Sequence, residues 1–326
     1  MEIAFIGTGN IARQHMESIK GIPEVNISGL YDPNEEVLQA RQAQFGGTRY
    51  SSIERMLDLI HPDAVYICVP PFAHGNAEFS CIERRIPFLV EKPQSNDLIL
   101  ARRIAEESSA AGIVTCSAYM NRYRKGVQEA KTLLQKYHIS LAYGGWLFET
   151  PIGHPWITKK ELSGGQLLEQ TTHLFDLVRY LCGEVSGVHA YESRGIISQT
   201  KNHDIEDATV VSLQMKSGAV VNIQSSWSAG VDRFIYLNLF GPEVQVQFTN
   251  WEMDTKIKFK AGEEIVVLPG EQNIFLLENQ AFLEAVRLKD QTKVRSDYAD
   301  GVKSLEISFA ARRSIETGKA ITLNND

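Results

Sequence analysis

A doubly wound parallel α/β sheet followed by an α+β domain is the fold that three features of the sequence predict. The first twelve residues, MEIAFIGTGNIA, set a glycine-rich turn directly after a short apolar run. Strand-like and helix-like stretches then alternate up to about residue 120. Beyond it, β-rich stretches follow one another with turn signals between them. The predicted division is a Rossmann dinucleotide-binding domain over 1–120 and an α+β domain over 121–326. The second domain carries an open, mainly antiparallel sheet.

Ile3 to Ile6 is the continuous apolar run of a strand buried on both faces. Gly7, Gly9 and Ala12 form G-x-G-x-x-A, and a helix is expected from Asn10 to Lys20. Gly7 permits the turn, Gly9 lets backbone amides approach a pyrophosphate, and Ala12 keeps the helix close to the strand. Cofactor contacts are therefore expected at Gly7, Thr8, Gly9, Asn10 and Ile11. A second strand, Val25 to Tyr31, ends at Asp32, about 20 residues or slightly more beyond the glycines. An acid there accepts the ribose hydroxyls of NAD and repels a 2′-phosphate, so NAD is favoured over NADP. Asp32-Pro33-Asn34 also reads as a turn.

Helices are expected over Asn34–Gln44, Ser51–Leu59, Ala73–Arg84 and Asp97–Ala111. Strands are expected over Ala64–Val69, Pro87–Val90 and Ile113–Ala118. Ligands of such sheets sit at the carboxyl ends of strands, which here carry Gly7, Asp32, Pro70, Glu91-Lys92 and Tyr119-Met120. In the second part, Tyr123–His138 reads as a helix, Leu141–Glu149 as a strand, and Gly165–Leu181 as one long helix closed by Gly183. Strands follow at Val188–Glu192, Ala208–Met215, Ala219–Trp227, Phe234–Phe240, Val244–Phe248 and Lys256–Phe259. Two helices, Gln272–Leu288 and Tyr298–Thr317, close the chain.

The sharpest candidate for chemistry is Lys92, at a strand end and followed by Pro93, which favours extended backbone at Lys92. An ammonium there stabilises the alkoxide-like charge that grows as hydride leaves a carbinol carbon. The ordinary alternative is an exposed loop lysine. On the long helix, Glu169, His173 and Asp176 fall at i, i+4 and i+7, one stripe of one face. Histidine titrates near neutrality and can take a hydroxyl proton, with a carboxylate one turn away orienting it. The alternative is a histidine hydrogen-bonded into packing. His74, in the loop after Pro70, either contacts the middle of the cofactor or sits at a helix start. Trp156, after His154-Pro155, either walls a substrate or fills core.

The hydrophobic fraction of 43% and charged fraction of 22% are those of an ordinary globular protein. A net charge of −7 without a basic cluster argues against nucleic acid and anionic membranes as partners. A core strand opens the sequence, and no apolar run reaches the ~18 residues of a membrane span. A cytoplasmic location is therefore expected, with reduced thiols at Cys68, Cys81, Cys116 and Cys182. No residue cluster suggests a metal. An exposed sheet face in the second domain would favour a homodimer or homotetramer.

Taken in order, these motifs resemble the glucose–fructose oxidoreductase / inositol dehydrogenase / rhizopine-catabolism (Gfo/Idh/MocA) family over nearly the whole chain. The carrying residues are AFIGTGNIA, Asp32, Val69-Pro70-x-x-x-His74, Glu91-Lys92-Pro93, Asn121-Arg122-Tyr123, Gly164-Gly165 through His173-x-x-Asp176, and Ser314 to Lys319. The resemblance implies NAD(P) as cofactor, bound also through Pro70, His74, Glu91 and Lys92. Lys92 and His173, with Glu169, are its catalytic residues. Arg122, Trp156 and His173 are expected at a sugar or cyclitol substrate, and Asp176 is expected to bind a substrate hydroxyl or to help fix the helix. Two departures stand out: Glu169 replaces the usual aspartate, and Ile157 stands where an arginine often follows the tryptophan. The implied reaction is hydride transfer from a secondary hydroxyl. A redox-neutral NAD-dependent glycosidase or epimerase and a non-catalytic NAD-binding regulator stay open as alternatives.

Overall fold

A computed structural model describes residues 1–149, 156–197, 203–230, 233–260 and 265–323. The chain forms two compact units. One comprises Met1–Met120 and Asn273–Val302; the other comprises Asn121–Gln272 and the residues from Lys303 onward.

The first unit holds a six-stranded parallel sheet of β1 (Glu2–Ile6), β2 (Asn26–Tyr31), β3 (Thr48–Arg49), β4 (Ala64–Ile67), β5 (Phe88–Val90) and β6 (Thr115–Ser117), ordered β3-β2-β1-β4-β5-β6. The order reverses at β1, so the crevice beside its carboxyl end is the ligand-binding switch point of such sheets. Helices α1 (Asn10–Ile19), α2 (Glu35–Phe45), α3 (Ile53–Ile60), α4 (Asn76–Glu83) and α5 (Leu98–Ala111) connect the strands. Their ends follow local chemistry. Asn34 caps α2, Ser52 caps α3 and Asp97 caps α5, each accepting from first-turn N–H groups. Pro71–Ala73 is a short 3₁₀ turn, so α4 starts later than the sequence suggests. The pairing of β3 with β2 is too short to read from pattern.

Residues 273–302, assigned by the sequence to the second domain, belong to this unit. The reason is apolar: Phe282, Leu283 and Ala285 share one core with Ile3, Phe5, Ala12, Met16 and Tyr66. The Phe282 ring meets Tyr66 edge-on at 5.5 Å.

The second unit begins with α6 (Lys125–Leu133) and β7 (Leu141–Leu147), then α7 (Lys160–Ser163), α8 (Gln166–Glu169) and α9 (Thr172–Cys182). Its remaining strands are β8 (Val185–Ser193), β9 (Ala208–Met215), β10 (Val220–Ser226), β11 (Phe234–Phe240), β12 (Val244–Thr249), β13 (Asp254–Phe259), β14 (Val266–Leu268) and β15 (Ile321–Thr322). They form a nine-stranded sheet, β14-β13-β12-β11-β7-β10-β9-β8-β15. Every pairing is antiparallel except β7 with β10, which run parallel from Leu141↔Val220 to Leu147↔Ser226. The sheet is thus mixed and mainly antiparallel. Alternation leaves Leu141, Tyr143, Val210, Val220 and Phe234 exposed. Helix α10 (Leu276–Leu288) lies in the first unit, and α11 (Tyr298–Thr317) starts there and ends in the second.

Candidate functional site

The glycine turn is built as its residues dictate. Gly7 has φ +83°, and a Cβ there would come within 2.4 Å of the Cys68 carbonyl oxygen. Only glycine fits. Helix α1 has no side-chain cap, and a Cβ at Gly9 would meet nothing within 4 Å. The first turn of α1 therefore has no side-chain cap and the space beside Gly9 is open, a setting that suits the pyrophosphate of a dinucleotide. Asn10 is exposed and Ile11 half-buried beside this entrance. Asp32 closes the turn from the neighbouring strand. Its Oδ2 accepts from Thr8 N at 2.7 Å and from Thr8 Oγ1 at 3.1 Å, while Oδ1 accepts from Asn34 N at 2.8 Å. The turn reading of Asp32 holds, and the carboxylate stands at the strand end beside the glycines.

Glu91 and Lys92 follow β5. Glu91 is buried; its Oε2 accepts from Lys92 N at 3.0 Å, and its Oε1 pairs with His15 Nε2 at 3.0 Å. On the other side of Lys92, Gln94 Nε2 donates to Ser117 Oγ at 2.9 Å and to the Tyr298 carbonyl at 3.2 Å. The Lys92–Pro93 peptide is cis. The lysine is half-buried on a turn fastened from both sides. Pro70 is half-buried at the end of β4. His74 is buried, with Nδ1 at 2.5 Å from Glu78 Oε1, and Glu78 Oε2 accepts from Gly75 N at 2.7 Å. It therefore occupies the helix-start position, bracing the entry to α4.

In the second unit the predicted long helix is broken. Thr171 sends both its N–H and its hydroxyl to the carbonyl of Gln166, five residues back, at 3.0 and 3.1 Å. The extra residue in that turn separates α8 from α9. Glu169, half-buried, is the last residue of α8, and His173 and Asp176 lie on α9. Gly165, at φ +92°, would place a Cβ within 2.6 Å of Glu206 Oε2, so the start of α8 also requires glycine. Glu206 accepts from Leu167 N at 2.9 Å, and burial pushes its carboxyl above the ordinary range.

His173 is 5% exposed, and its ring stacks on Trp146 with centroids 5.1 Å apart and planes 16° apart. Trp251 meets the other ring edge-on at 5.3 Å. Asp176, read as a substrate ligand or a fixer of the helix, and Arg122, expected at substrate, hold one another: Arg122 Nε and Nη2 reach the two carboxylate oxygens at 2.9 and 2.6 Å. Ser304 Oγ adds a third bond to Asp176 at 2.8 Å. Arg122 also lies 4.9 Å from the Tyr180 ring centre. This buried fork ties the α9 face next to His173 to the loop after β6. Trp156 packs beside the buried Ile157, Ile205 and Trp227, which is core filling; His154 and Pro155 lie outside the described residues.

Sequence reasoning missed His15, Asn279, Trp146 and Glu206. His15 was open to detection, as a polar residue within the stripe Ala12, His15, Met16 and Ile19 of α1. Among the described residues no group of metal-binding side chains assembles, and no helix is long and apolar enough to cross a membrane. Cys68, Cys81, Cys116 and Cys182 are buried and form no disulfide, and burial pushes the Cys182 thiol up to about 12.

Comparison with known proteins agrees with this geometry. Residues 1–119 match the family described as "Oxidoreductase family, NAD-binding Rossmann fold", and residues 129–250 match the "GFO/IDH/MocA C-terminal domain". The chain is 25% identical to myo-inositol 2-dehydrogenase of Thermotoga maritima over 343 residues, covering 99% of this chain and 98% of that protein. It is 32% identical to the uncharacterized protein UNK4.17 of Schizosaccharomyces pombe over 290 residues, covering 76% and 69%. Levoglucosan dehydrogenase, solved with NADH and levoglucosan, has the same fold at a TM-score of 0.89 with 19% identity, covering both chains fully at 100%.

Proposed function

The chain belongs to the Gfo/Idh/MocA oxidoreductase family, and from that premise we propose that it is a dehydrogenase of a sugar, a cyclitol or a derivative of one, acting on a secondary hydroxyl. The observation that carries the reading is the placement of Lys92 at the carboxyl end of β5, on a turn fastened by Glu91 and Gln94. NAD, when bound, supplies the hydride acceptor at C4 of its nicotinamide. Gly7, Thr8, Gly9, Asn10 and Ile11 hold its pyrophosphate, and Asp32 holds the adenosine ribose and disfavours NADP.

Lys92 donates a hydrogen bond to the substrate oxygen and stabilises the negative charge that grows there as hydride leaves the adjoining carbon. His173 takes the hydroxyl proton, and Glu169 is the acid that supports it. Trp146 limits the tilt of the His173 ring. Arg122 and Asp176 fix α9 through their ion pair and, in this reading, also meet substrate hydroxyls. The inositol and levoglucosan dehydrogenases among the relatives support a polyol as substrate. The exposed row of Leu141, Tyr143, Val210, Val220 and Phe234 supports self-association into a homodimer or homotetramer. Four cysteines held as thiols suit the cytoplasm.

Lys92→Ala and His173→Ala are each expected to lower turnover of the best polyol roughly 10²–10⁴-fold. Turnover within a few-fold of wild type in both would refute these roles. Substrate loss followed by NMR without accumulation of NADH would move the assignment to the redox-neutral glycosidase or epimerase.

A further inference from the structure

We infer that His15, backed by Asn279, is a positioning residue for Lys92 and acts through Glu91. The inference deepens the proposed role of Lys92 and rests on it. His15 is fully buried on α1, the helix that leaves the glycine turn. Its Nδ1 lies 2.8 Å from Asn279 Oδ1 and its Nε2 lies 3.0 Å from Glu91 Oε1. The imidazole packs against Tyr66 and Phe275, with ring centres 5.4 and 5.0 Å away.

A carboxylate only accepts, so Nε2–H is the donor to Glu91 whichever way the Asn279 amide is turned. The other carboxylate oxygen accepts from the Lys92 amide at 3.0 Å. Both oxygens of Glu91 are thus committed, and the Lys92 amide, one bond from the Cα that carries the side chain, is held by a buried chain running Asn279, His15, Glu91, Lys92. Three separate parts of the sequence meet in it: α10, α1 and the turn after β5.

Packing alone does not call for a histidine at position 15. Ala12, Met16 and Ile19 make the rest of that face apolar, and leucine or methionine would continue the stripe. An apolar residue there would strand the buried Glu91 oxygen without its donor, which is the expensive outcome for a charge out of water. Breaking the local pattern in order to fasten a glutamate next to the proposed substrate lysine marks a functional site. Because α1 also presents its N-terminus at the glycine turn, one helix carries both the pyrophosphate cradle and the brace of the lysine.

The test uses the full-length protein with His15→Leu, which keeps bulk but loses both bonds, and His15→Gln, which keeps a donor for Glu91. In His15→Leu, kcat is expected to fall on the order of 10²-fold, with substrate KM and NAD affinity within about threefold of wild type. Hydrogen exchange of the Lys92 amide, read without substrate, should quicken while amides of β1 and β4 keep their rates. His15→Gln should recover most of the lost kcat. Wild-type kcat and Lys92 exchange in His15→Leu would overturn the inference. So would a His15→Gln variant as slow as His15→Leu, or faster exchange spread evenly over the first unit. Should His15→Leu not fold, Asn279→Leu is measured in the same way with the same criteria. Unchanged turnover in Lys92→Ala would instead refute the role of the lysine, and exchange at its amide would still decide the brace.

Discussion

The two units fasten their functional side chains by different means. In the first, Asp32 and Lys92 stand at strand ends and are held through neighbouring backbone: Asp32 by the amides of Thr8 and Asn34, Lys92 by the carboxylate of the residue before it. In the second, His173 rides on α9, whose orientation depends on a buried ion pair to Arg122, 54 positions away in the sequence, and on the flat face of Trp146. A strand end is a fixed address in a parallel sheet. A helix can roll or slide, so it requires a tertiary lock.

If that contrast is right, breaking the lock costs more than breaking a local bond. Arg122→Leu leaves Asp176 buried without its partner and is expected to destabilise the protein by about 3–5 kcal/mol. The double variant Arg122→Leu/Asp176→Leu should recover part of that loss. Denaturant melts of the three proteins measure it, and equal stability of the single variant and wild type would remove the lock from the account.

The matching change in the first unit is Asp32→Ser, which removes a carboxylate but no buried ion pair. NAD affinity is expected to fall about 10- to 100-fold, with discrimination against NADP relaxed and the melt little changed. Titration calorimetry with both cofactors reads the effect. Retained preference for NAD would dissociate Asp32 from the ribose.

The smallest effect concerns Glu206, held against Gly165 at the start of α8. Burial raises its carboxyl above the ordinary range despite the bond from Leu167 N–H. An acid raised in the folded state binds its proton more tightly folded than unfolded. Stability therefore falls as pH climbs from the ordinary glutamate range through the folded value. Glu206→Gln keeps an acceptor for Leu167 and removes that cost. It should melt slightly higher than wild type at neutral pH, with the difference vanishing below pH about 4. A lower melt at neutral pH would show that the charge itself stabilises the turn.

The same contrast governs how much could be read in advance. The parallel sheet, the glycine turn and the acid at the end of β2 are written in local order, and caps at Asn34, Ser52 and Asp97 mark their helices. The break between α8 and α9 is not marked by glycine or proline. It arises because Thr171 bonds twice to one carbonyl, a choice settled in three dimensions. Glu169, His173 and Asp176 are therefore shared between α8 and α9 and not carried by one helix. Arg122 and Asp176 lie 54 positions apart, and only the folded distance shows that they pair with each other. The return of α10 to the first unit is equally hidden, since an amphipathic helix looks the same whichever core it covers.

The measurement closest to the central claim is NADH absorbance after mixing the enzyme with NAD and a panel of inositols, aldoses and sugar acids. A signal is expected with at least one polyol, and it should disappear in Lys92→Ala and in His173→Ala. Silence across the panel with NAD bound, or a signal that survives both substitutions, would contradict it.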